Sequence, residues 1–350
     1  MKMTPALLIL GGLLVFWTSV FIAIFLPAMT MRETPSDIWQ PWTAEQSAGH
    51  DLYVANGCSY CHSQFVRVFD SGHGANRVSQ IGDWYDQTPA ILGTERTGPD
   101  LSLEGGEHPD DWHIAHFVNP RNTRPQSLMP SWEFLGHDNI HKLTALMQSQ
   151  GGLLAKRRMD GEQTDGSGGQ NYWKAQATAA FEAGPDANIQ WLHENVAAPW
   201  RAMPNPYQAD QAALGRGQLY YQQFCIGCHG SVGDGQTPAA KYIYPPPLNF
   251  TELDGRLWQG KYIGGIFYYQ VMNGITGTAM PYFKRELESE KIWDVSNYVA
   301  VRFLGYTDAG LYPYGIGVSY EDPSWRNPYL VSPATQPAGR PAAAPARSPQ

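Results

Sequence analysis

The sequence predicts a mainly α-helical protein, with an N-terminal transmembrane helix ahead of two small helical domains. Three observations predict it: a long uncharged run near the N-terminus, the motif C-x-x-C-H occurring twice, and a similar helical stretch before each copy.

The first element is the membrane anchor, residues 1–31. Pro5 to Ala28 carries no charge in 24 positions. At about 1.5 Å per residue a helix of that length spans roughly 36 Å, enough for a hydrocarbon core of about 30 Å. The apolar region of a cleaved signal peptide runs only about 7–15 residues. No A-x-A site follows this run, so an uncleaved anchor is expected. The flanking charges, Lys2 on one side and Arg32 with Glu33 on the other, orient it only weakly.

The chain has 350 residues, 43% of them hydrophobic, which suits two or three domains. Charged residues make up only 16%, while Gly, Pro and aromatics are plentiful, as in loop-rich domains wrapped around large apolar cofactors. A formal charge of −8 argues against nucleic acid as a partner.

All four cysteines lie in Cys58-Ser-Tyr-Cys61-His62 and Cys225-Ile-Gly-Cys228-His229. C-x-x-C-H attaches a c-type haem: two thiols form thioethers to one porphyrin and the adjacent His reaches its iron. A zinc site would have to draw four ligands from both halves, and a disulfide framework belongs to much smaller chains. Two covalently bound haem c groups are therefore expected. Cys58, Cys61, Cys225 and Cys228 hold the porphyrins, and His62 and His229 bind the irons. Such haems are attached outside the bacterial cytoplasm, which places the N-terminus inside and the chain after Met31 outside the inner membrane.

Each motif follows a helix with Gly and Tyr four residues apart, Gly49 with Tyr53 and Gly217 with Tyr221. That spacing puts both on one face, where Gly admits a crossing helix and the ring packs beside it. Thr43-Ala44-Glu45-Gln46 reads as a capping box for the first of these helices. The first domain, residues 40–150, ends in a helical pattern over Asp138–Gln150, through Ile140, Leu143 and Met147. The second, residues 206–305, ends in one over Ser289–Phe303, through Ile292, Val299 and Phe303. Two helices crossing over a haem resemble the small cytochrome c fold. Residues 151–205 read as a linker, with Gly151–Gln170 polar, Gly-rich and flexible and some helical pattern (AQATAAFEA) within 171–203. Residues 306–350 form an extension whose Pro/Ala-rich tail from Ser332 is expected to be disordered.

An iron held by one His needs a second axial ligand or stays open, and Met raises its potential. Of the ten methionines only Met129 and Met280 stand in Met-Pro-x-aromatic, one in each domain. They are the expected sixth ligands. In the first domain His113 and His116, on a helix starting at Pro109, compete, and His73, His108, His137 and His141 lie nearby. Two stiff loops, Arg96-Thr97-Gly98-Pro99-Asp100-Leu101 and Pro245-Pro246-Pro247-Leu248-Asn249, are placed to offer a backbone carbonyl to each proximal His. Arg96 reads either as a partner for a haem propionate or as an ordinary surface Arg.

The first domain combines the anchor with Gly57-Cys58-Ser59-Tyr60-Cys61-His62-Ser63-Gln64, Arg96-Thr97-Gly98-Pro99-Asp100-Leu101, Asp111-Trp112-His113 and Ser127-Leu128-Met129-Pro130, in that order. By these motifs it resembles the FixO-type subunit of cbb3-type cytochrome c oxidases. The second domain is similar to a generic class I cytochrome c. Two departures stand out. The family subunit carries one haem, whereas this chain adds a second domain, and Phe65-Val66-Arg67-Val68-Phe69 lacks the family's proline after the Arg.

The resemblance implies an electron-transfer subunit, not an enzyme on its own. It would pass electrons from a cytochrome donor to the haem–copper catalytic subunit of an oxidase in aerobic respiration. Related readings are a nitric oxide reductase subunit and a freestanding membrane-tethered shuttle. A dihaem peroxidase needs an open haem, which Met129 and Met280 argue against.

Overall fold

The computed structural model describes residues 4–304, apart from 32–33, 74–76, 88–89, 94, 162–167, 202, 204, 208–209 and 253–263. Among the described residues there are helices and loops but no strand. Helix α1, Pro5–Thr30, is long and apolar enough to cross a membrane, and none of its most apolar stretch is buried by the rest of the chain. Thr4 caps it, accepting from Leu7 N–H. A π-type turn at Phe21–Phe25 stands just before Pro27, which has no N–H to return to the preceding turn.

In the first domain α2, Ala44–Ala55, opens on the expected capping box. Gln46 N–H donates to Thr43 Oγ1 at 3.2 Å, and Thr43 N–H donates to Gln46 Oε1 at 2.9 Å. Helix α3, Asp110–Val118, follows Pro109 and carries Asp110 and Asp111 in its first turn, where the helix dipole favours negative charge. Helix α4, His137–Ser149, starts one residue before the predicted pattern. It crosses α2 at Gly49, where a Cβ would stand 2.1 Å from the Lys142 carbonyl oxygen. Tyr53, Leu101, Phe117, Ile140, Leu143, Leu146 and Met147 make the core beneath.

Within the linker expected over 151–205, the described part of Gly151–Gln170 departs from the flexibility expected of it. Residues 152–160 form α5, Gly152–Asp160, with Ala155 buried. It docks on the first domain: Leu153 N–H donates to Ile38 O at 2.7 Å and Arg158 to Leu103 O at 2.6 Å. Helices α6, Gln170–Glu182, and α7, Pro185–Glu194, follow. Gln170 ties both domains together, donating to Gly106 O and accepting from Gly277 N–H at 2.7 Å. Glycine content suggested a tether here, but Leu153, Leu154, Ala155, Ala177 and Ile189 supply enough apolar surface to dock the segment.

The second domain repeats the plan of the first. Helix α8, Gln211–Tyr220, runs through a π-type turn into the second motif. Helix α9, Gly264–Asn273, and helix α10, Ser289–Leu304, complete it. Here α8 crosses α10 at Gly217, where a Cβ would meet the Asp294 carbonyl oxygen at 2.1 Å.

The two domains pack directly against each other. Arg124 pairs with Glu286 at 3.2 Å, Tyr282 donates to Glu107 at 3.1 Å, and Asp111 accepts from Tyr244 N–H at 2.9 Å while also pairing with Lys174. Trp112 and Ala115 share an apolar cluster with Ala239, Ile243 and Ala279. The tail from Ser332 lies outside the described residues.

Candidate haem sites

In both domains the motif histidine is oriented by a carbonyl from the stiff loop opposite. His62 Nδ1 lies 2.9 Å from Pro99 O, and His229 Nδ1 lies 3.3 Å from Leu248 O. A carbonyl only accepts, so Nδ1 carries the proton and Nε2 keeps the lone pair a metal needs. Burial lowers the proton affinity of His62 and pushes His229 down to about 4, so both imidazoles are neutral near pH 7. Gly98 is required beside the first ring, because a Cβ there would stand 2.3 Å from His62 Cε1. Phe250 stacks on His229 with centroids 4.6 Å apart.

No disulfide joins the cysteines. Burial pushes the thiol of Cys58 up to about 11 and those of Cys225 and Cys228 to about 12, so they are not reactive thiolates at neutral pH. Among the described residues no three His, Cys, Asp or Glu side chains converge as metal ligands.

Met129 packs on the first core together with Cys58 and Trp132. Met280 lines a cavity of about 620 Å³ with Cys225, Cys228 and His229. Beyond the shared Met-Pro-x-aromatic pattern, the two methionine loops have a second likeness, which the pattern alone did not bring out. Met129 N–H donates to Ser127 Oγ, and Met280 N–H to Thr278 Oγ1, both at 3.2 Å. A hydroxyl two residues ahead of each Met-Pro was the signal available in the sequence.

A haem fits these surroundings. The second cavity is mainly apolar, and its lining includes both thiols, the imidazole and the methionine. Trp132 and Trp293, each in the apolar cluster holding its domain's methionine, keep a buried indole N–H with no partner. Haem carboxylates would satisfy such donors.

The competing histidines whose side chains are described have contacts of their own, and the side chain of His73 lies outside the described residues. His113 is buried and its Nε2 has no hydrogen-bond partner. It faces Glu104 at 3.9 Å, as does His108. Burial, with Glu107 close by, pushes Glu104 up to about 8, so its carboxyl is mostly neutral at pH 7. His116 Nδ1 lies 2.7 Å from Thr123 Oγ1. His137 and His141 meet each other at 3.1 Å on α4.

Arg96 is tied into its surroundings through Nε and one Nη. Its guanidinium reaches Asp70 Oδ2 at 2.9 Å, Ser63 Oγ and Phe65 O at 2.7 Å, and Asp100 at 3.4 Å. It locks the loop after His62 to the loop that orients His62.

Residues 1–183 match the model for the mono-haem subunit of cytochrome c oxidase, FixO. The chain belongs to the FixO family. Residues 214–301 match the cytochrome c model, so a cytochrome c domain follows the FixO region. The FixO match runs through α5 and α6, beyond the expected end of the first domain at residue 150. No curated protein matches the chain. A chain of the Kuenenia stuttgartiensis reducing HAO-like protein complex aligns over 75% of this chain and 98% of its own, at 17% identity. With a TM-score of 0.23 that alignment bears on nothing further. Family and fold together make this a membrane-anchored cytochrome c subunit of a cbb3-type oxidase, serving electron transfer.

Proposed function

We propose that this FixO-family chain is a dihaem relay, taking electrons from a cytochrome donor and delivering them to the catalytic haem–copper subunit that reduces oxygen. When bound, each haem supplies one-electron exchange at its iron. His62 and Met129 serve the first iron and His229 and Met280 the second, with thioethers from Cys58, Cys61, Cys225 and Cys228. The observation that carries the reading is the direct packing of a second C-x-x-C-H domain on the FixO domain, through Trp112, Arg124 and Glu107. The FixO match favours an oxidase over a nitric oxide reductase, and favours a complex over a freestanding shuttle.

The N-terminus lies in the cytoplasm and the haem domains outside the inner membrane. The first domain, next to the anchor, docks on the catalytic subunit. Tyr60, beside Cys61, and Leu128, beside Met129, are 80% and 84% exposed and offer apolar surface for that contact. The second domain faces the donor, and the charge of −8 suits a basic cytochrome whose approach weakens with salt.

Two measurements test this. Acid–acetone extraction should leave two haems on the chain, and Cys58→Ala with Cys61→Ala should leave one; complete loss of haem from the wild type would refute covalent attachment. In the complex copurified through this chain, rapid mixing with reduced donor should reduce the second haem before the first. Reduction in the opposite order, or failure of any haem–copper subunit to copurify, would overturn the relay.

A further inference from the structure

We infer that the second haem site is a joint site, its wall completed by Trp112 of the FixO domain. This rests on reading Cys225-x-x-Cys228-His229 as a haem attachment motif. Trp112 and Thr123 line the same cavity as Cys228, His229 and Met280, although both lie some hundred residues earlier in the chain. Trp112 is buried against Ala239, Ile243 and Ala279, and Cys228 packs on that cluster. The motif itself is pressed onto the first domain. A Cβ on Gly227 would stand 2.5 Å from the Asn122 carbonyl oxygen. Cys228 Sγ lies 3.5 Å from the same oxygen.

Helix α3 therefore has two working faces. Ile114, Phe117 and Val118 pack with Cys58 and Met129 of the first site. Trp112 and Ala115 face the second domain. One helix, roughly 10 Å across with its side chains, is a common wall of both sites. The indole is also clamped. His108 stacks on it at 3.8 Å and 15°, and His116 at 4.8 Å and 7°. Thr123 holds His116 in turn. A ring fixed in this way shuts water out of one side of the cavity, and a dry surrounding disfavours the more highly charged ferric iron. Trp112 thereby holds up the potential of a haem attached to the other domain.

The test uses the full membrane-bound chain, with Trp112→Ala and Trp112→Phe. Haem content is read by pyridine haemochrome and each midpoint by optical redox titration. The second wave is assigned by its loss of carbon monoxide resistance in Met280→Ala. Trp112→Ala should lower the second midpoint more than the first, and Trp112→Phe should recover most of the shift. A purely structural role would move both waves and the melting temperature together. Because Trp112→Ala risks misfolding, the wild type supplies a second measurement. With both irons ferric, paramagnetic resonance should show each relaxing the other across the shared helix. Magnetically isolated irons, or a folded Trp112→Ala chain with two haems and an unmoved second midpoint, would overturn the joint wall. A wild-type chain holding only one haem would overturn the attachment reading beneath it instead.

Discussion

Met280→Ala is expected to open the second haem, raising carbon monoxide binding at that site from none to one molecule per chain and abolishing its low-spin spectrum. Axial ligand identity is among the levers that spread haem potentials over about 0.8 V, and loss of a thioether should lower this one. The expectation follows from how firmly the methionine is held. Met280 N–H donates to Thr278, and Ile275 N–H donates to Met280 O at 3.1 Å. Gly274, at φ 70°, leaves no room for a side chain, since its Cβ would lie 2.7 Å from Met280 O. Met129→Ala should do the same at the first haem. An unchanged spectrum in Met129→Ala would transfer the ligand to His113 or His116.

Gly217→Ala should cost the second domain about 3 kcal/mol, at the upper end of the usual penalty for overpacking, and lower its melting temperature by several degrees. The added methyl would meet backbone, 2.1 Å from Asp294 O and 2.7 Å from its carbon, so no side chain can swing away. The crossing is also pinned from outside. Arg216 Nε donates to Asp294 Oδ2 at 2.7 Å, although burial still pushes that carboxyl up to about 6. Neither helix can slide to make room without breaking this pair. Denaturation followed at the second haem's Soret band should show the loss, and Gly49→Ala should produce it in the first domain. An unshifted transition in Gly217→Ala would mean that the helices do not cross at this glycine.

Much of the repeated plan was legible in the residues because it is local. The capping box at Thr43 and the amphipathic patterns of α4 and α10 depend on spacings within one or two helical turns. So do the Gly–Tyr pairs that mark each crossing. The carbonyl partners of His62 and His229 were legible too, because loops stiffened by proline have few ways to present their backbone.

The partners of Arg96 were not legible, for the opposite reason. Its partners Asp70 and Ser63 lie 26 and 33 positions away, and a sequence does not say which carboxylates a guanidinium will meet. Residues 152–160 were misread because glycines mark the composition around them, while the apolar residues that dock this helix find their partners only in the folded chain.

The chemistry this protein can perform was set by short motifs: the thiol spacing, the adjacent histidine, the Met-Pro loops and an uncharged helix long enough for a bilayer. Each is a covalent or local property that survives without knowledge of the fold. How the sites relate to each other was decided by tertiary structure alone. Trp112 precedes Cys228 by more than a hundred residues, yet both line one cavity. That juxtaposition comes from two apolar surfaces closing on each other, and long-range burial of this kind leaves no periodic mark in the chain.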